Sequence, residues 1–97
     1  MKQITELTEN IYHVITEPGD ATRYDFIIIQ DFDEYCIAPK GSTFRFPQRL
    51  SWWDIKDLSE VDDEIVTLAN KEFCNPHTLL ACINIIKDIR DEVPQEG

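Results

Sequence analysis

The first half of the chain alternates short apolar segments with polar turn sequences, a pattern typical of β-strands. Ile11–Thr16 is mostly β-branched or aromatic, and a Pro-Gly-Asp turn sequence follows it. Residues 23–30 include four consecutive apolar side chains, which predict a central strand buried on both faces. Residues 35–38 and 43–46 are the third and fourth predicted strands. The short connections between these segments favour an antiparallel meander.

The second half has helical periodicity and helix-capping residues. Ser51 and Ser59 each precede an amphipathic segment and have an acidic residue three positions later, so each is predicted to cap a helix. Asn75 followed by Pro76 predicts the start of a third helix, which Pro94 is predicted to end. The apolar stripe of this third helix consists of Leu79, Cys82, Ile83, Ile86, Ile89 and Val93.

Strands followed by helices predict an α+β fold. We expect a small antiparallel meander of three to four strands, followed by a short helix and two longer helices that pack on one face of the sheet. Residues 1–97 are predicted to form a single compact domain, because neither half can bury its apolar side chains alone.

The charge of the chain is strongly negative and unevenly distributed. Acidic side chains outnumber basic ones by 19 to 9, which gives a formal net charge of −10. Residues 1–34 carry a net −6, residues 35–53 a net +3 and residues 54–97 a net −7. Because binding to phosphates needs clustered Lys and Arg, this balance argues against a direct nucleic-acid ligand. In the aromatic and basic strip at residues 44–50, the arginines are expected to neutralise nearby carboxylates.

The apolar runs and the cysteines predict a cytoplasmic protein with no membrane contact. The N-terminal residues contain no apolar core of a signal peptide, and no unbroken apolar run approaches the ~20 residues that span a bilayer. Three cysteines at unrelated spacings are typical of reduced thiols in a cytosol.

Two possible metal sites are incomplete. Cys74, His77 and Cys82 could form part of a zinc site, but structural zinc takes four ligands. On one helix His77 and Cys82 would also lie about 140° apart. Residues 31–34 begin like a calcium loop but lack its sixth-position glycine and its twelfth-position acid. We therefore predict no metal and no cofactor.

The sequence also predicts no catalytic residues. The cysteines could pair in space with His13 or His77, so a small enzyme that uses a Cys/His pair stays an alternative. The chain has no glycine-containing nucleophile elbow and no phosphate-binding loop. We therefore expect a protein without enzymatic activity.

The densest charge lies in the segment at residues 54–64, which we call the acidic segment. It has one base, Lys56, and six acids: Asp54, Asp57, Glu60, Asp62, Asp63 and Glu64. One interpretation is a well-capped, solvated helix start. The other is a surface that imitates phosphates and engages a basic partner. Helical geometry points Trp52 and Trp53 about 100° apart, so one is expected in the core, and we expect Trp53 to anchor the partner.

This profile resembles the small acidic inhibitors that bacteriophages encode, including anti-CRISPR and anti-restriction proteins. The resemblance lies in the general character of the whole chain, and it implies a protein of the host cytoplasm. Such a protein would inhibit a nuclease, a CRISPR effector or another nucleic-acid-binding protein by occupying its basic surface as a nucleic-acid mimic. The alternative is an antitoxin or immunity protein that neutralises a basic toxin, and a homodimer is compatible with either function.

Overall fold

The computed structural model describes residues 2–17, 23–41 and 44–92. Within them, five strands are assigned: β1 (Lys2–Thr8), β2 (Ile11–Thr16), β3 (Tyr24–Asp31), β4 (Glu34–Pro39) and β5 (Arg49–Ser51). Three helices follow in the same part of the chain: α1 (Trp52–Ile55), α2 (Asp63–Lys71) and α3 (Pro76–Glu92). Strands therefore precede helices, and the predicted α+β class is confirmed.

The strands form one antiparallel sheet in chain order, from β1 to β5. The first three predicted strands correspond to β2, β3 and β4, so the antiparallel meander is confirmed. β1 and β5 have no counterpart among the predicted strands, and the strand count of the described residues therefore exceeds the expected three to four.

The strand predicted at residues 43–46 is wrong where the structure describes it, since residues 44–46 are not in a strand. Thr43 lies outside the described residues. The edge of β4 is instead paired with β5, and the Ile37 N–H donates to the Gln48 carbonyl at 3.0 Å. Phe44 packs its ring against Tyr24 with centroids 4.7 Å apart, and buried Pro47 has no N–H for a strand ladder.

The sheet has one buried face, which the helices cover, and one open face. The buried side chains on the covered face are Tyr12, Val14, Tyr24, Phe26, Ile28, Tyr35, Ile37 and Leu50. Between them along β3, Ile27 is half-buried and Ile29 is 43% exposed. The prediction that this strand is buried on both faces is therefore wrong, because the apolar run supplies both faces and the helices cover only one.

The helices complete the core from the other side. Ile55 of α1, Ile65 of α2 and the stripe of α3 are all buried in one cluster with the sheet. In α3 the buried residues are Thr78, Leu79, Cys82, Ile83, Ile85, Ile86 and Ile89. This confirms the predicted stripe, except for Val93, which lies with Pro94 outside the described residues.

The helix starts were predicted with mixed success. Asn75 caps α3 as expected, because its side-chain oxygen accepts from the His77 N–H at 2.8 Å, and Pro76 is the first helical residue. Ser51 occupies the N-cap position of α1 but makes no side-chain capping bond, so its predicted capping role is wrong.

The predicted cap of the second helix is also wrong. Helix α2 starts at Asp63, and its N-cap is Asp62 instead of Ser59. The Asp62 carboxylate accepts from the Ile65 N–H at 3.0 Å. Leu58 and Ile65 are both buried, and the residues between them are exposed. This exposed connection runs along the surface of the core past Ser59, so the helix starts only after Asp62.

Candidate partner-binding surface

All six predicted acids lie in one continuous segment that runs from α1 to the first turn of α2. Asp54 belongs to α1, Asp57 and Glu60 lie in the connection, and the other three surround the start of α2. Every one of these side chains is exposed. The structure thus places the predicted site residues on the surface, and buried Ile55, Leu58 and Ile65 fix the segment to the core.

Four of the six acids also lie at the start of a helix. Asp62 caps α2, and Asp63 and Glu64 lie in its first turn, where carboxylates interact favourably with the helix dipole. Lys56 approaches Asp57 at 3.9 Å with both side chains exposed, a pair that contributes little to stability. The Lys87 ammonium also reaches this segment, where it donates to the Leu58 carbonyl at 2.5 Å. Asp54 lies in the first turn of the four-residue helix α1, so only Asp57 and Glu60 have no position at a helix start.

Trp53 is the exposed member of the tryptophan pair, as predicted. It is 65% exposed, whereas Trp52 is half-buried and packs against the core. The Trp53 Nε1–H donates to the Asp33 carboxylate at 3.0 Å, and the Lys56 ammonium lies 5.6 Å from the ring centroid. These contacts hold an exposed aromatic ring in a defined position.

The turn between β3 and β4 lies against the start of α1. The Trp52 N–H donates to the Asp33 carbonyl at 2.6 Å, and Ser51 pairs with Glu34 in the sheet. Asp33 therefore connects the turn to both tryptophans. The acidic segment and this turn form one surface, which we call the acidic–aromatic surface.

Phe32, at the tip of that turn, is a residue that the sequence reasoning missed. Its side chain is 90% exposed, and its backbone φ of 55° lies in the left-handed region, which residues with bulky side chains rarely adopt. It lines a shallow pocket of about 400 Å³ together with Asp31, Asp33 and Arg90. The available signal was an aromatic residue flanked by acids in a turn, where the fold needs no apolar side chain.

The basic strip is partly neutralised within the molecule. Arg49 contacts Glu34 at 3.1 Å, and the Arg45 guanidinium lies 5.8 Å from the Phe73 ring centroid. Phe46 is buried beside Phe26, with ring centroids 4.7 Å apart. This strip therefore contributes to the core and to local charge pairing.

Cys74 and Cys82 lie near each other, whereas Cys36 and His13 lie on separate strands of the sheet. Cys82 is fully buried and burial raises its thiol pKa, while burial also raises the pKa of the half-buried Cys74. His13 accepts or donates a bond to Asp25 at 2.8 Å, but Cys36 lies two strands away from it, about 10 Å or more. Among the described residues, no group of three or more His, Cys, Asp or Glu side chains is placed to hold a metal ion.

Comparisons with protein-family models, with curated proteins and with solved structures found no match to this chain. In the part of the chain that the structure describes, no helix has the length and apolar character needed to cross a membrane. A function must therefore be inferred from the acidic–aromatic surface itself.

Proposed function

We propose that this chain binds and inhibits a host nucleic-acid-handling protein by occupying a basic surface of that protein, as a nucleic-acid mimic. The observation that carries the proposal is an exposed, positioned Trp53 beside six exposed carboxylates. The carboxylates would replace phosphates, and the proposal requires no catalytic residue in this chain.

The acids supply the electrostatic part of such an interaction. Carboxylates concentrated on one surface of a protein with a net charge of −10 attract a basic partner and accelerate its encounter. The same charges repel one another in the isolated chain. Helix starts account for four of them, and a partner that supplies the compensating charge would explain Asp57 and Glu60.

The aromatic residues supply the apolar part. Tryptophan is the residue type most often responsible for a large share of interface affinity, and its contacts act mainly on the dissociation rate. Phe32 adds a second exposed ring beside Asp33, the residue that binds Trp53. An arginine of the partner could stack on either ring while its charge faces the carboxylates.

The test combines capture with a matched charge reversal. A protein captured from bacterial lysate is purified, and its binding is measured by surface plasmon resonance at about 50 mM and about 200 mM salt. The variant Asp57→Lys/Glu60→Lys/Glu64→Lys keeps the Asp62 cap, so its fold should persist. The control Glu6→Lys/Glu9→Lys/Asp91→Lys makes the same change in net charge on other exposed residues.

We expect the first variant to associate at least about tenfold more slowly at low salt, with a weaker salt dependence. The control should retain most of the wild-type rate. Trp53→Ala should accelerate dissociation about tenfold or more, and Trp53→Phe should have a smaller effect. Double-stranded DNA should compete with this chain for the captured protein. Equal effects of the two charge variants, or no competition by DNA, would contradict the proposal.

A further inference from the structure

We propose that the open face of the sheet is the contact surface of a homodimer, in which two copies of this chain pack sheet against sheet. The face has an apolar centre that the helices leave uncovered. Its apolar residues are Ile11, Ile15, Ile27, Ile29, Cys36 and Ala38. This inference is independent of the proposed inhibitory function.

The strand register places these residues in rows. Ile11 lies opposite Ile29, which lies opposite Cys36, so three strands contribute to one continuous row. The next row contains His13, Ile27 and Ala38. Cross-strand neighbours of this kind have Cβ atoms about 5 Å apart, so the isoleucines form a continuous apolar patch and not isolated exposed side chains.

The charged side chains nearest the apolar centre of this face are paired with one another. His13 and Arg23 contact the Asp25 carboxylate at 2.8 and 3.7 Å, and Arg49 contacts Glu34 at 3.1 Å. Covering a polar group costs less when its partner is already in place. The face can therefore be covered without leaving these groups unpaired.

The charge balance of the face favours a second copy as its occupant. Arg23 and Arg49 balance Asp25 and Glu34. Asp31 and Glu17 add negative charge at its margin, which is a small part of the net charge of −10. A basic partner would therefore gain little electrostatic attraction on this face. Two copies of an acidic chain, by contrast, can approach each other through a face of low net charge, and a two-fold dimer uses the same patch on both copies.

The size of the face predicts a weak dimer. Five strands about 4.8 Å apart and about six residues long give a face of roughly 24 Å by 20 Å. Two such faces would bury on the order of 1,000 Å², the lower limit for a specific interface. We therefore expect a dissociation constant in the micromolar range.

Sedimentation equilibrium of the full chain between about 5 and about 500 µM tests this proposal. The average mass should rise from 11.3 kDa towards twice that value. Ile29→Lys should keep the protein monomeric, although it lowers the negative charge that opposes association. Ile29→Thr, which preserves the β-branched shape, should weaken the dimer at least about tenfold and serves if the lysine variant does not fold.

Val66→Lys is the matched control, because Val66 is 38% exposed on α2, away from the sheet. It should dimerise like the wild type. A wild-type chain that stays monomeric throughout would overturn the proposal. So would a dimer that survives both Ile29 substitutions, since that dimer would form elsewhere, for example along the edge of β1. Raised salt should leave this dimer intact or strengthen it, whereas binding of a basic partner should weaken.

Discussion

Phe32 and Phe73 are exposed aromatic residues in a backbone conformation that glycine and asparagine adopt more readily than other residues. Their φ angles are 55° and 56°. Phe73 ends α2 in a Schellman motif, in which the Cys74 N–H donates to the Ala69 carbonyl at 3.0 Å. A side chain with a Cβ atom is strained in this conformation, so each phenylalanine lowers stability for no gain in core packing.

Phe73→Gly should therefore raise the free energy of unfolding by about 0.5–1 kcal/mol. Relief of the backbone strain should stabilise the protein by more than the loss of the exposed contact between Arg45 and the Phe73 ring, at 5.8 Å, destabilises it. Urea denaturation measures it. Glu72→Gly is the control, because its φ of −92° suits any residue, and this substitution should destabilise by a similar amount. Destabilisation by Phe73→Gly would show that its ring stabilises the fold.

Cys82 makes the free energy of unfolding depend on pH in the alkaline range. Burial raises its thiol pKa, and the nearby Cys74 raises it further. The folded state therefore keeps the proton above the ordinary thiol pKa of 9.0, whereas the unfolded chain releases it. The contribution is complete below pH 9.0 and is lost as the pH rises above it, at up to about 1.4 kcal/mol per pH unit.

Urea denaturation at about pH 8 and about pH 10 checks this dependence. Cys82→Ala lowers stability at both values but should show a smaller loss between them than the wild type. Cys36→Ala leaves Cys82 in place and should retain the wild-type loss. Burial also raises the pKa of Tyr35, which adds to the loss in every variant above its ordinary value of 10.0. Equal pH dependence in the Cys82→Ala and wild-type proteins would contradict the assignment.

At the scale of elements, strong local signals predicted the structure best. α3 has a side-chain cap, an N-terminal proline and a long apolar stripe, and these all agree. β1 lacks such a signal, because it is an edge strand whose residues are mostly exposed. β5 is a three-residue strand that depends on its partner β4, a long-range contact that no local pattern contains.

The candidate surface was predictable only in part, for similar reasons. Exposure of the six acids and of Trp53 followed from charge density and helical geometry. The contribution of Asp33 was not predictable, because it joins residues 20 positions apart through the Trp53 Nε1–H. Asp62 was predicted as a binding residue, and only the course of the chain between Leu58 and Ile65 shows that it is also a cap.

The start of α2 gives a direct test of this reassigned cap. Asp62→Ala should lower the free energy of unfolding by about 1 kcal/mol, because the Ile65 N–H loses its acceptor. Ser59→Ala should change it by less than about 0.5 kcal/mol, since Ser59 is exposed and lies before the helix. Thermal and urea denaturation provide the values. The reverse order of effects would restore Ser59 as the cap.

At the scale of the whole molecule, one arginine connects the helical layer to the sheet. The Arg90 guanidinium donates to the Tyr35 hydroxyl at 2.7 Å, lies 3.5 Å from the Asp33 carboxylate and stands 4.4 Å from the centre of the Trp52 ring. Thr78 adds a second polar contact, to the Tyr24 hydroxyl at 3.4 Å. The contacts that hold the acidic–aromatic surface in place thus depend on α3 as well as on the sheet.

This dependence predicts that the sheet and the helices unfold together. Ile86 is fully buried in the core that both layers share, so Ile86→Ala should lower the free energy of unfolding by about 2–5 kcal/mol. The far-ultraviolet signal of the helices and the near-ultraviolet signal of the tyrosines and tryptophans should move to the same lower midpoint. Asn84→Ala, on the exposed side of α3, should shift neither signal by more than the equivalent of about 0.5 kcal/mol. Two separate midpoints, in the wild type or in Ile86→Ala, would show that the layers are independent, and the acidic–aromatic surface would then persist when α3 unfolds.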